Sequence, residues 1–344
     1  MDRLLRFVFP RYRVRGQIVR LDASWSTVAS RHRQHERREL SPNLRQRLGE
    51  LTAAGLLLSS SLKYDGSLVM QIQGSGPVSL FVVECEHDGA WRSTVKLRDG
   101  ARIMPDASLI DLIGDVGKAR FAVTLMPARD ASAKGAASRT ALVAPYQGIV
   151  PFEGDTVAEM LENYMQRSEQ VATHLWLAAD DGLAFGLLLQ RMPSDGGRGA
   201  SPGHGEAPDA DETLAGGDGT DDDGRGWEHV VTLARTLTRR EMIELPIEEV
   251  LRRLFWECPI EVFEGPAPRF ECSCSLQKVA SMLRMLGRQE VESILRDEGA
   301  IDVRCEFCAE QYSLDAVEAR NLFEQPADDA GPARDGRASA ARRR

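Results

Sequence analysis

Four of the six cysteines are grouped near the C-terminus, as Cys272-Ser-Cys274 and Cys305-Glu-Phe-Cys308. About thirty residues separate the pairs, within the loop range of two-knuckle zinc sites. A short-spaced thiolate pair supplies two adjacent corners of a tetrahedron. Two pairs complete a structural zinc set and leave no position for a catalytic water. The competing reading is two structural disulfides without metal. Removal of zinc would leave Cys272/Cys274 and Cys305/Cys308 each able to form a local disulfide. A domain stapled by zinc would then unfold. The spacing makes this oxidation switch available and leaves open whether it is used.

Two helices and a strand must position these sulfurs. Ser275 caps the first helix, Leu276, Val279, Ala280, Leu283 and Leu286 form its apolar stripe, and Gly287 ends it. Val291, Ile294 and Leu295 mark the second helix, which Gly299 ends. Ile301 and Val303 alternate into Cys305, and Asp315 caps a last helix through Phe323. So small a module buries little core, and structural zinc is worth on the order of 10–16 kcal/mol of folding energy at neutral pH.

The segment ahead of the cysteines is helical in pattern. Trp227, Val230, Val231, Ala234 and Leu237 form one stripe, and Thr238-Arg-Arg-Glu241 is a capping box. Pro246 starts a third helix with Ile247, Val250, Leu251, Leu254 and Phe255 on one face. Helices this short need a docking surface to persist. Either they are ordinary core helices or they form a clamp that docks only while the zinc module is folded. Trp227 and Trp256 flank the stripe, so both are expected to be at least partly buried when it is docked. Trp25, Trp91 and Trp176 belong to the sheet domain and are expected to respond little to its release.

Upstream, the pattern is α+β, an antiparallel-rich sheet with packed helices. Val14–Leu21 reads as a strand, Asp22 or Ser24 caps a helix through Val28, and Ser41-Pro42 starts a long, largely buried helix. Alternating strands follow from Leu68 to Ile72, Val78 to Cys85 and Ala90 to Leu97, with turns at Gly74-Ser-Gly-Pro77 and Asp88-Gly89. Asp106–Ile113 is a short helix, Ala119–Met126 a strand and Ala128–Ser138 a loop. Gln147–Pro151 is a strand, Asp155 caps a helix carrying Val157 to Met165, and His174–Ala179 and Leu183–Met192 are the last strands.

Other chemistry-bearing motifs fail on context. Gly114-Asp-Val-Gly-Lys118 has short glycine spacing for a P-loop, and Ala119 stands where the magnesium-binding hydroxyl belongs. Gly199-Ala-Ser-Pro-Gly203 cannot form a nucleophile elbow with Pro202 in a glycine-rich tract. The cations of Arg31–Arg38, with His32 and His35, read as a solvated helix end. Cys85 reads as a packed free thiol, and Cys258 is not needed by a complete four-thiolate set.

Several of these blocks, taken together, resemble the heat shock protein 33 family of redox-regulated bacterial holdase chaperones. The resemblance is carried by Phe270-Glu-Cys-Ser-Cys-Ser275, Glu290-Val-Glu-Ser-Ile-Leu295 and Ile301-Asp-Val-Arg-Cys-Glu-Phe-Cys308. Gln71-Ile-Gln-Gly-Ser-Gly-Pro77, Tyr146-Gln-Gly-Ile-Val150, Glu153-Gly-Asp155, Tyr164-Met-Gln-Arg-Ser-Glu169 and Leu245-Pro246 extend it, so that it runs from about Arg15 to Phe323. It implies an ATP-independent holdase and no enzyme. The reduced form would hold one Zn2+ on Cys272, Cys274, Cys305 and Cys308 and be inactive. Oxidation would form Cys272–Cys274 and Cys305–Cys308 disulfides, release zinc and free the linker. Clients would be unfolding proteins, held by a homodimer when oxidised. The resemblance also favours the clamp reading of the linker, carried by Trp227, Val230, Val231, Leu237, Ile247, Val250, Leu251, Leu254 and Phe255. The alternatives are a zinc-ribbon adaptor for nucleic acid or protein and a thiol oxidoreductase using Cys305 and Cys308; the latter needs a thioredoxin-like βαβ setting.

Composition agrees with a soluble two-domain chain. The 344 residues are 42% hydrophobic, and the net charge of −9 argues against nonspecific nucleic-acid binding. No stretch approaches the roughly 20 apolar residues of a membrane span. Met1–Phe9 resembles a signal sequence only superficially, since Arg6 breaks its apolar run. Thiolate ligands need a reducing compartment, so a cytoplasmic protein is expected. Residues 1–193 are the expected α+β core, and 194–226 an acidic, glycine-rich insert with nine acids against two arginines and no fixed structure. Residues 227–265 are the helical linker, 266–324 the zinc module, and 325–344 a disordered tail.

Overall fold

The computed structural model describes residues 1–28, 40–62, 64–127, 145–192 and 222–324. The cationic stretch at 31–38, the loop at 128–138, the insert through residue 221 and the tail from 325 lie outside them. The chain divides into two compact units, Met1–Glu271 and Cys272–Arg344.

The first unit is built on one buried helix, α1 (Pro42–Ser61). Ser41 accepts from the Leu44 amide and proline occupies the first turn, as the dipeptide predicts. At about 1.5 Å per residue the helix is about 30 Å long, and every residue from Leu48 to Ser60 is buried. Its small residues let neighbours approach closely. A Cβ on Gly55 would sit 3.0 Å from the Cys85 sulfur, which explains why that thiol is sealed inside the core.

Two sheets pack against α1. One is six-stranded, in the order β11-β5-β4-β3-β6-β7, with β3 Gly66–Gln73, β4 Val78–Glu86, β5 Ala90–Leu97, β6 Arg120–Pro127, β7 Tyr146–Val150 and β11 Arg269–Phe270. The other is five-stranded, β10-β1-β2-β9-β8, with β1 Arg3–Phe9, β2 Val14–Leu21, β8 Thr173–Ala179, β9 Ala184–Arg191 and β10 Glu261–Glu264. All pairings are antiparallel except β11 with β5. The fold is therefore α+β and antiparallel-rich, as the pattern predicts. The expected helix through Val28 is present at 23–28, and the short helices α2 (Leu109–Ile113) and α3 (Val157–Arg167) complete this part. Thr156, not Asp155, caps α3: its hydroxyl accepts from the Glu159 amide, while the Asp155 amide donates to the Glu159 carboxylate.

Four strands are not apparent in the sequence: β1, β10, β11 and β13 (Gln311–Leu314), the last a four-residue strand that pairs with β12 (Ile301–Arg304). β1 carries Arg3 and Arg6 among its apolar residues, so it lacks clean alternation. Strand β10 is exposed along its whole length and exists because β1 pairs with it across the chain. Strand β11 has two residues and lies immediately before the first cysteine pair, at the edge of the six-stranded sheet.

The linker helices are α4 (Asp222–Ala234), α5 (Arg239–Glu244) and α6 (Ile247–Leu254). Helix α4 starts at Asp222, five residues ahead of Trp227, so the expected insert boundary at Gly226 is too late. Gly226 is part of the packing: a Cβ there would lie 2.6 Å from the Tyr12 ring. The second unit comprises α7 (Leu276–Leu286), α8 (Arg288–Glu298), the hairpin β12 (Ile301–Arg304) and β13 (Gln311–Leu314), and α9 (Ala316–Asn321). Its buried apolar cluster is Val279, Leu283, Val291, Leu295, Ile301, Leu314 and Ala319. Among the described residues no helix is long and apolar enough to cross a membrane.

Candidate metal centre

Local signals place the cysteines. Ser275 caps α7 directly after Cys274 by accepting from the Lys278 amide. Gly287 ends α7, and Gly299, in the left-handed region at φ 80°, ends α8 and turns the chain into β12. Cys305–Cys308 forms the turn of the β12–β13 hairpin. The Ala309 amide donates to the Cys305 carbonyl at 2.9 Å, and the Cys305 amide donates to the Glu310 carbonyl at 2.9 Å. A hairpin is not the βαβ setting that a thioredoxin-like thiol pair requires.

The four sulfurs converge: all lie within 4.8 Å of one another. Cys272 and Cys305 are 3.6 Å apart, and Cys274 and Cys308 are 3.3 Å apart. Four sulfurs about 2.3 Å from a tetrahedral zinc stand about 3.8 Å from each other, so the set has the dimensions of a four-thiolate metal site. None of the six cysteines is in a disulfide. An all-sulfur donor set suits zinc. Cys85 and Cys258 are buried elsewhere and take no part.

Burial pushes the Cys272 and Cys308 thiols up. At Cys274 burial acts in the same direction, but the Tyr312 hydroxyl and the neighbouring thiols outweigh it and hold the group below its usual value. The Tyr312 hydroxyl donates to the Cys274 sulfur at 3.2 Å. Tyr312 in turn is pushed up, chiefly by that bond and then by burial. Sequence reasoning missed this residue. It sits on β13, opposite Val303, and only the hairpin register carries it back over the sulfurs.

The apolar stripe of α7 is narrower than its spacing implies. Val279, Ala280 and Leu283 are buried, whereas Leu276 and Leu286, at the two ends, are about half exposed. The core beneath the helix spans only its central turns.

The linker stripe is buried against the five-stranded sheet. Trp227, Val230, Val231, Ala234, Leu237, Ile247, Val250, Leu251, Leu254 and Phe255 join one cluster with Phe7, Phe9, Ile18, Phe185 and Leu187. Phe255 meets Phe9 edge-on at 4.9 Å. The Thr238–Glu241 capping box forms in both directions. The linker and the sheet face form one apolar layer.

Trp256 departs from its expectation. It is 74% exposed, against 7% for Trp227. Helix α6 stops at Leu254 and Phe255 takes a non-helical cap conformation, so helical spacing no longer applies one residue later. Trp176 departs too: from β8 it packs against the linker cluster, so it is not isolated from the linker.

Comparison with known proteins agrees with this architecture. Residues 2–315 match the family model described as Hsp33 protein. A 33 kDa chaperonin of Chromobacterium violaceum is 40% identical over 323 residues, covering 94% of each chain. That of Neisseria meningitidis is 40% identical over 318 residues, covering 92% of this chain and 90% of its own. The crystal structure of a 33 kDa chaperonin (heat shock protein 33 homolog) from Thermotoga maritima superposes with a TM-score of 0.66 at 20% identity. It covers 94% of this chain and 98% of that one, and it supports the fold. The chain therefore belongs to the Hsp33 family, whose curated relatives are named as chaperonins, a non-enzyme class.

Proposed function

We propose that this chain is a redox-regulated, ATP-independent holdase. The observation that carries the reading is the cluster of four sulfurs within 4.8 Å, in a unit whose buried apolar cluster, among the described residues, is seven side chains. Such a unit depends on its metal for folding. One zinc per chain, on Cys272, Cys274, Cys305 and Cys308, supplies that energy in the reduced, inactive form.

A two-electron oxidant such as a peroxide converts each local pair to a disulfide. A thiolate attacks one peroxide oxygen, the O–O bond breaks, and hydroxide leaves. The second thiolate displaces hydroxide from the resulting sulfenic acid and forms the S–S bond. Two peroxides are consumed for Cys272–Cys274 and Cys305–Cys308, and the metal loses its ligands. The second unit then loses its fold, and the linker helices, marginal alone, leave the sheet. The apolar layer they covered holds unfolding proteins. The protein acts in the cytoplasm, reduced at rest, and its active, oxidised form is a homodimer without nucleic acid or membrane as partner.

The test compares suppression of client aggregation by reduced, zinc-loaded protein and by peroxide-oxidised protein, with zinc release followed in parallel. Suppression should appear only after zinc leaves. Equal suppression by both forms would overturn the redox reading.

A further inference from the structure

The Tyr312 hydroxyl lies 3.2 Å from the Cys274 sulfur and donates to it. The other hydrogen bonds to the cluster include backbone donors: the Cys274 amide to Cys272, and the Glu310 amide to Cys308. Only proline would remove those, at the cost of the local backbone, whereas Tyr312→Phe removes the phenol donor and keeps the ring. The ring packs beside the core cluster of the unit from β13, so its loss would disturb packing and the loss of its oxygen alone would not.

A thiolate attacks an electrophile through a sulfur lone pair. A donated hydrogen bond withdraws charge from that pair and lowers nucleophilicity. Outer hydrogen bonds of this kind tune metal ligands generally.

We propose that Tyr312 is a positioning residue that brakes oxidation at Cys274 and so sets how much oxidant the cluster withstands. The inference rests on the four-cysteine metal site proposed above, and it adds a determinant of threshold outside the ligand set. The step it slows is the one at the sulfur. With peroxide, an S–O bond forms, the O–O bond breaks and hydroxide leaves. With iodoacetamide, an S–C bond forms and iodide leaves.

The experiment uses full-length, zinc-loaded Tyr312→Phe and wild-type protein. Zinc release is followed with a chromogenic chelator after addition of peroxide or iodoacetamide, and alkylation of each cysteine is read by peptide mass spectrometry. The expected result is several-fold faster zinc release with both reagents and a selective rise in the alkylation rate of Cys274 over Cys272. Tyr146→Phe, which removes a phenol on β7 of the first unit, should leave both rates unchanged. Equal rates in wild type and Tyr312→Phe would overturn the proposal. So would an equal acceleration at all four cysteines, or loss of zinc from reduced Tyr312→Phe before any reagent is added, since either would make the hydroxyl a structural group. Failure of wild-type protein to bind zinc would instead remove the underlying metal-site reading.

Discussion

The indole of Trp227 lies stacked on the imidazole of His174, with ring centroids 5.7 Å apart and planes 13° from parallel. One ring belongs to linker helix α4 and the other to edge strand β8. His174 is held in turn by Glu162 of α3, Nδ1 to Oε2 at 3.1 Å. The linker is thus gripped by a side chain that is itself fixed. Removal of the linker must expose Trp227. Oxidation with zinc release should red-shift Trp227 emission in a variant retaining that tryptophan alone. A Trp256-only variant should change little, because that side chain is already exposed. Trp176-only protein should respond partly. An unchanged Trp227 spectrum in oxidised, zinc-free, client-binding protein would show that the linker stays docked.

Phe255 tests the opposite direction, release without oxidation. It is fully buried and packs on Phe7 and Phe9. Truncation of a buried aromatic costs about 3–5 kcal/mol, a large part of what can hold three short helices in place. Reduced, zinc-loaded Phe255→Ala should bind more of an apolar dye than wild type and suppress client aggregation in part. Wild-type dye binding by this variant would mean that the linker is held mainly elsewhere.

The parts of this architecture legible in the sequence are those with local causes. Ser41-Pro42, Thr238, Ser275 and Asp315 announce helix starts because a cap needs only a hydroxyl or carboxylate and the next few amides. The strands from Gly66 to Leu97 are legible because turns at Gly74–Pro77 and Asp88-Gly89 separate alternating runs. The cysteine spacing points to the sulfur cluster for the same reason. What was missed has no local period to announce it, and part of it is set at long range. Strands β10 and β11 are too short to show a period and depend on partners far away in the chain. The Tyr312 contact depends on hairpin register, and the exposure of Trp256 depends on where a helix stops.

The metal reading carries a pH dependence with a definite sign. Cys272 and Cys308 are pushed up by burial, and each must lose its proton to bind zinc. Raised thiols hold their protons more tightly in the metal-free fold, so protons compete more strongly with the metal. Apparent zinc affinity should therefore rise with pH across the neutral range. Competition with a chelator at about pH 6.5 and about pH 8 checks it, the interval lying below the ordinary thiol range. Cys272→Ser or Cys305→Ser should weaken zinc binding strongly at both, and Cys85→Ser should not. Stoichiometric zinc in a quadruple variant of Cys272, Cys274, Cys305 and Cys308 would place the metal elsewhere.

Acid should loosen the linker through its second helix. The Glu241 carboxylate accepts from the Thr238 amide and hydroxyl at 3.0 and 2.8 Å. Those bonds, the amide first and the hydroxyl second, hold its pKa below the usual glutamate value. A lowered folded pKa means that the contribution is fully present above the unfolded value and is lost as pH falls through the folded one. Glu249 on α6 is also held down, to about 2, by Arg252 and Arg253, so its charge persists to lower pH than the usual carboxylate. Between about pH 6 and about pH 3, across the ordinary glutamate range, wild-type Trp227 emission should red-shift as the capping box protonates. Thr238→Ala removes the hydroxyl partner and costs about 1 kcal/mol of helix stability at neutral pH. It should start from a slightly redder spectrum and show a smaller acid-induced shift, because less of the box is left to lose. An identical acid shift in wild type and Thr238→Ala would assign the response to other carboxylates and leave the capping box without a part in docking.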